Sequence, residues 1–187
     1  MNPDRVALVL LAAGRGERFG GGKLAAILAG KPLAHHASDI LSAIPFAALF
    51  AVTGPDTPPL PGYRTIMLDP PGAPQSRSLA LGIAAARACK VDAVLIALAD
   101  MPLVPRNHFD AMLAQFDGDR LASLGPDSVM PPALFGARHF DALAGLAGDR
   151  GAGSLLRDAP TIALHDEAAL DVDTLDDLAH AQDWLDF

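Results

Sequence analysis

Residues Val6 to Ala13 form an uninterrupted apolar run, rich in branched side chains, that ends abruptly in glycine. Its length suits a buried strand and falls short of a buried helix. Beyond it stand five glycines, Gly14, Gly16, Gly20, Gly21 and Gly22, with three cations among them, Arg15, Arg18 and Lys23. Glycine tolerates φ > 0 and lets backbone N–H groups approach an anion closely. Arginine and lysine neutralise its charge. A strand that empties into such a loop is a device for holding phosphates.

Three phosphate-loop patterns compete. A Walker A loop needs a hydroxyl after its lysine to hold Mg²⁺, but Lys23 is followed by Leu24. A dinucleotide fingerprint needs G-x-G-x-x-G and an acidic residue about 20 residues on. Gly14 and Gly16 fit it, but Phe19 stands at the third glycine and no acidic residue ends a second strand. The third pattern is L-A-A-G-x-G-x-R-F-G-x-x-K, present as Leu11-Ala12-Ala13-Gly14-Arg15-Gly16-Glu17-Arg18-Phe19-Gly20-Gly21-Gly22-Lys23. It resembles the signature loop of the nucleotidyltransferases related to the molybdenum cofactor guanylyl- and cytidylyltransferases. The competing explanation, a surface loop with scattered charges, is disfavoured by its place directly after the first strand, where ligand loops belong.

At 187 residues the chain reads as a single domain, residues 1–187, long enough for a full core. Its net charge of −8 and the lack of a basic run speak against nucleic acid as a partner. The one concentrated basic site is the glycine loop, which suits a small anionic ligand. A single cysteine, Cys89, excludes an intramolecular disulfide framework and fits a reducing cytoplasm. The N-terminal run lacks the charge pattern of a signal peptide, because Asp4 offsets Arg5. No stretch approaches the ~18 apolar residues of a membrane helix, so a membrane role is not expected.

Pro32 fits the first turn of a helix running to about Ala43, on which His35 and His36 are ordinary residues. Phe46 to Val52 reads as a second buried strand, the proline-rich Thr53 to Gly62 as a loop, and Arg64 to Leu68 as a third strand. Ser76 or Ser78 is positioned to cap a helix running to Cys89 or Lys90. Gln75-Ser76-Arg77-Ser78-Leu79-Ala80-Leu81-Gly82 also resembles the family's G-x-S-x-S-L-x-x-G segment, with Pro74 where glycine is usual. The resemblance implies that Ser76 and Ser78 help to hold the nucleoside.

Asp92 to Ala99 is a continuous apolar strand that ends in Asp100-Met101-Pro102. A carboxylate at the carboxyl end of a central strand faces the crevice where open α/β sheets bind ligands. Mg²⁺ takes one or two carboxylates together with substrate phosphates. The string Ala99-Asp100-Met101-Pro102-Leu103-Val104 also resembles the family's metal-binding segment. Pro105 to Phe116 reads as a helix, Asp119 to Leu124 as a strand, and Val129 to Phe135, with Pro131 and Pro132, as an irregular or edge strand. The histidine of the cytidylyl branch's G-H-P-V-L-F is missing from this last segment.

Gly148-Asp149-Arg150-Gly151-Ala152 resembles the G-D-R-G-A of the cytidylyl branch, a second glycine-flanked cation for an acceptor phosphate. Thr161 to Leu164 reads as a strand. Asp171-Val172-Asp173-Thr174-Leu175-Asp176-Asp177-Leu178 resembles the family's closing D-x-D-T-x-x-D-L. Asp173 or Thr174 is placed to cap the last helix, and Asp171 or Asp173 to supply a second carboxylate to Mg²⁺.

Alternating strands and helices predict a three-layer α/β/α sandwich around a mostly parallel sheet. The resemblance implies a Rossmann-like sheet of the nucleotide-diphospho-sugar transferase type. It further implies transfer of CMP from CTP to a phosphate-bearing acceptor such as molybdopterin, with pyrophosphate released and the product passed to a molybdoenzyme. Leu11, Ala12, Ala13, Gly14, Arg15 and Gly16 would line the nucleotide. Arg18 and Lys23 would hold its phosphates, and both are expected to pack little. Asp100, with Asp173, would hold Mg²⁺. Ala13, where the guanylyl branch has glycine, favours a pyrimidine. The alternatives are a guanylyl or other nucleotidyltransferase with a different small phosphorylated acceptor, or a non-catalytic nucleotide-binding protein.

Overall fold

The computed structural model describes residues 1–14, 16–148 and 151–186. The apolar run becomes β1 (Val6–Ala12), buried on both faces at the middle of the sheet. A short hairpin follows, β2 (Ile27–Leu28) and β3 (Lys31–Pro32), then α1 (Leu33–Ser42). The chain continues through β4 (Ala48–Thr53), β5 (Arg64–Met67), α2 (Gln75–Ala88), β6 (Ala93–Leu98) and α3 (Arg106–Gln115). It ends with β7 (Arg120–Leu124), β8 (Val129–Gly136), α4 (Phe140–Ala144), β9 (Thr161–Ala163) and α5 (Leu175–Leu185).

The seven-stranded sheet has the order β5-β4-β1-β6-β8-β7-β9. Only β8 runs antiparallel to its neighbours. Alternate residues of β1 feed two cores. Leu8 and Leu10 join Leu33 and Leu41 of α1, Phe109 and Met112 of α3 and Ala181 of α5. Ala7 and Val9 join Leu79 and Ile83 of α2 and Phe140 and Leu143 of α4. The expected three layers follow from this alternation, because successive strand side chains point to opposite faces. Among the described residues no helix is long and apolar enough to cross a membrane.

One local expectation is corrected and one is narrowed. Neither Ser76 nor Ser78 caps α2: Pro74 stands at the cap and makes no side-chain hydrogen bond. Both serines lie inside the helix and are buried, and the Ser76 N–H donates to the Gly148 carbonyl at 3.4 Å. Proline serves because its fixed φ suits a helix entry. Of the two readings of Val129 to Phe135, the irregular strand holds and the edge strand does not: β8 lies between β6 and β7. Its prolines are tolerated because the β7 register jumps from Ala122↔Ala133 to Ser123↔Met130, leaving Pro131 and Pro132 outside both ladders. A bulge asks no ladder N–H of them. The closing cap is as expected, since Thr174 accepts from the Asp177 N–H and Asp177 reaches back in a capping box.

Two buried histidines give the fold a pH dependence. His36 donates from Nε2 to the Leu28 carbonyl at 2.8 Å. His108 lies 2.8 Å from Ser123 Oγ, whose own proton goes to the Pro132 carbonyl, so Nε2–H of His108 is the donor. Burial lowers the pKa of both rings below the ordinary histidine value. A depressed folded-state pKa means that the unfolded chain takes up the proton first. The histidines' contribution to stability is therefore full above about pH 6.5 and falls as the pH drops below it. Thermal melts of wild type and His108→Gln from pH 8 to pH 5 should differ in slope, the variant losing less stability on acidification. An unchanged slope in that variant would exclude His108 as a source of the loss.

Candidate functional site

The carboxyl ends of β1, β4 and β6 open onto two adjoining cavities. The smaller, of about 220 Å³, is lined by Ala13, Gly14, Lys23, Gly54, Thr57 and Gly72 among others. The larger, of about 490 Å³, involves Leu11, Ala13, Gly14, Gln75, Ser78 and Asp100. Ala13 and Gly14 are the wall between them. This is the edge at which open α/β sheets take ligands, because loops diverge there and strand ends expose polar backbone.

The glycine loop folds back on itself. The N–H groups of Phe19 and Gly21 both donate to the Gly16 carbonyl, at 3.0 and 3.1 Å. Gly16 has φ +56°, and a Cβ on it would stand 2.9 Å from Lys23 Cβ, so only glycine fits this turn. Lys23 then opens a short 3₁₀ turn, Lys23–Ala25, with Gly22 in the left-handed conformation before it.

That turn drives Lys23 inward. Its side chain is only 4 % exposed, so the expectation that it packs little is overturned. The ammonium donates to Asp100 Oδ2 at 2.7 Å and to Asp173 Oδ1 at 3.0 Å, with Asp171 Oδ1 at 3.9 Å. Arg18 stays outside, 77 % exposed, with Nη2 3.1 Å from Asp173 Oδ2. Chain ends far apart in sequence meet because the Val172 N–H donates to the Asp100 carbonyl at 3.0 Å. This ties the segment before α5 to the end of β6.

The charges strain against one another. Burial lowers the Lys23 pKa, but the charges and hydrogen bonds of Asp100 and Asp173 outweigh it, and the net shift is upward. Asp171 is pushed up to about 7, first by burial and then by the adjacent Asp100 carboxylate, against the pull of Lys23. Asp100 Oδ1 and Asp171 Oδ1 are buried without a hydrogen-bond partner. Carboxylate oxygens without a donor beside an open cavity are ligands of the kind a hard divalent cation takes. As the side chains stand, no group of three or more His, Cys, Asp or Glu among the described residues holds metal-binding geometry. The carboxylates are closed around Lys23.

The structure thus gathers Leu11, Ala13, Gly14, Ser78 and Asp100 on the cavities, and Arg18, Lys23 and Asp173 around one ion cluster. Ala12 contributes only its carbonyl, which accepts from Thr57 Oγ1 at 2.6 Å. Ser76 and Gly16 stand behind the surface, as buried helix residue and turn residue. Arg15 and the pair Asp149-Arg150 lie outside the described residues. Two segments escaped the sequence reading. Gly54 to Thr57, taken only as a loop, and Pro71-Gly72 both line the smaller cavity. The signal was present, since Thr53 ends a strand paired directly with β1.

No curated protein sequence matches the chain significantly. Among solved structures, Rv0371c from Mycobacterium tuberculosis H37Rv superposes with a TM-score of 0.80 at 23% identity, covering 95% of this chain and 98% of that one. A nucleotidyl transferase from Methanothermobacter thermautotroptrophicus gives 0.77 at 20% identity, with 96% of each chain covered. Molybdopterin-guanine dinucleotide biosynthesis protein A from Archaeoglobus fulgidus gives 0.65 at 18% identity, covering 96% and 98%. These likenesses establish the shared fold. The family model of the MobA-like NTP transferase domain matches residues 8–179, and the chain belongs to that family of nucleotidyltransferases.

Proposed function

We propose that the protein transfers CMP from CTP to a small phosphorylated acceptor of the molybdopterin type, with Mg²⁺ or a similar divalent cation. The observation that carries this reading is the convergence of Arg18, Lys23 and three carboxylates in one ion cluster, beside the two cavities that the glycine loop borders. Phosphoryl transfer needs positioning and charge neutralisation more than a covalent nucleophile, and this cluster is an inventory of charges. The solved Rv0371c has also been crystallised in complex with manganese, at 23% identity to this chain. The Archaeoglobus relative's name refers to a molybdopterin dinucleotide.

An acceptor phosphate oxygen would attack the α-phosphorus, the α–β bridge would break, and pyrophosphate would leave. Backbone N–H groups near Gly14, with Arg18 and Lys23, would hold the β- and γ-phosphates as charge builds on the leaving group. Asp100 and Asp173, with Asp171 beside them, would hold the divalent cation, which when bound neutralises the phosphate charge. Ser78 and Gln75 would face the nucleoside from the start of α2.

Base choice rests on Ala13, which walls both cavities. Gly54 lies beside it, with room enough that a Cβ on Gly54 would meet Ala13 Cα at an ordinary contact distance of 3.6 Å. The methyl of Ala13 would narrow the slot toward a pyrimidine. One methyl discriminates by about 1–3 kcal/mol. CTP should bind about tenfold or more tightly than GTP, and Ala13→Gly should close most of that gap. Titrating the four ribonucleoside triphosphates with Mg²⁺, and following pyrophosphate release with phosphorylated acceptors, tests both levels. Equal or tighter GTP binding removes the cytidylyl assignment alone; binding without turnover on any acceptor favours a nucleotide-binding protein.

A further inference from the structure

We propose that Lys23 and the divalent cation compete for one carboxylate cage, so that metal enters as Lys23 moves onto the triphosphate. The inference rests on the metal-dependent reading above and adds to it an exchange between two cations.

The geometry leaves room for one of them. Lys23 Nζ lies 2.7 Å from Asp100 Oδ2 and 3.0 Å from Asp173 Oδ1, with Asp171 Oδ1 at 3.9 Å. A divalent ion bound by the same carboxylates would sit 2.0–2.6 Å or so from their oxygens. It would then be nearly coincident with the ammonium, at a repulsion that neither cation's ligands can offset. The ammonium is also an incomplete partner. Asp100 Oδ1 and Asp171 Oδ1 remain buried without hydrogen bonds around it. An ammonium has three N–H bonds to give, whereas a hard dication gathers six or more oxygens. Two carboxylate oxygens without a donor are what a dication gains and the Lys23 ammonium does not satisfy.

Lys23 also has the means to leave. Gly20, Gly21 and Gly22 precede it, all with positive φ (90°, 96° and 62°), and a Cβ on any of them would touch nothing within 4 Å. Three consecutive glycines in open space make a compliant tether. Its destination is close, because Lys23 lines the smaller cavity and Asp100 the larger, with Gly14 in both. A triphosphate spanning these cavities would offer the displaced ammonium new anionic oxygens. Coupling of this kind is reciprocal: whatever factor the triphosphate adds to metal affinity, metal adds to triphosphate affinity.

The test is Mn²⁺ binding to the full chain, read by electron paramagnetic resonance, with and without CTP. Lys23→Met should bind Mn²⁺ alone at least about tenfold more tightly than wild type. CTP should tighten Mn²⁺ binding strongly in wild type and much less in the variant. If Lys23→Met binds Mn²⁺ no better than wild type, while wild type with CTP binds it well, the competition is wrong and the metal site stands. If neither protein binds Mn²⁺ even with CTP, the metal-site reading falls and takes the competition with it. Should the variant fail to fold around its unpaired carboxylates, the wild type decides. Saturating Mn²⁺ alone should raise acetylation of the Lys23 amine by acetic anhydride severalfold in mass spectra. Unchanged labelling overturns the proposal.

Discussion

Asp100→Asn is expected to lower kcat by about a thousandfold or more while the melting temperature stays close to that of wild type. Metal assistance to phosphoryl transfer is worth several kcal/mol, and ~4 kcal/mol corresponds to about a thousandfold. The amide keeps the shape and one oxygen but not the charge that a hard cation requires. The fold should tolerate the change because Asp100 is not a packing residue. Its backbone carbonyl still accepts from Val172, and Lys23 keeps Asp173 as a charged partner. Pyrophosphate release at saturating CTP and metal, set beside a thermal melt, measures both halves. Full activity in Asp100→Asn with a dead Asp173→Asn would move the principal ligand to Asp173.

A large effect on stability is expected at Gly82. This glycine lies within α2, where alanine would ordinarily be worth about 1 kcal/mol in helix propensity. Here a Cβ would stand 2.3 Å from Val9 Cγ1. Val9 is fully buried in the central strand, and its branched side chain has no free direction in which to turn. Overpacking of this kind costs about 1–3 kcal/mol or more, which outweighs the propensity gain. Gly82→Ala should therefore lower the melting temperature by several degrees, at about 2–4 °C per kcal/mol for a chain of this size. Val9→Ala in the same molecule should restore much of the loss, since the new methyl then fills the space vacated by the valine. Additive losses in the double variant would place the cause elsewhere.

The parts legible in the sequence share a cause. β1, β4 and β6 are buried on both faces, so their composition alone marks them as strands. The glycine loop, Asp100 and the Thr174 cap each pair a residue type with a fixed place relative to an element. The misread parts depend on what lies across space. Pro131 and Pro132 argue for an irregular or an edge strand, and only the register jump across from β7 shows that β8 is irregular and sits inside the sheet. Ser76 looks like a cap, but Pro74 enters the helix and the Gly148 carbonyl takes the serine N–H. Lys23, in a glycine-rich stretch, reads as exposed. Its burial depends on carboxylates 77 and 150 residues away along the chain. Such closures are set by topology, and no local pattern announces them.

The manner in which α5 is attached has an optical consequence. Asp173 immediately precedes the Thr174 cap, so the carboxylate and the helix end move as one piece. The helix itself is lightly anchored, with Ala181 its only fully buried residue and Leu175 and Leu185 exposed. Elements with so little buried surface open most readily. On this helix stands the chain's only tryptophan, Trp184, 47 % exposed. The emission of that indole therefore reports on the helix that follows Asp173, and a change in it on titration with CTP and metal is expected if that segment shifts on loading.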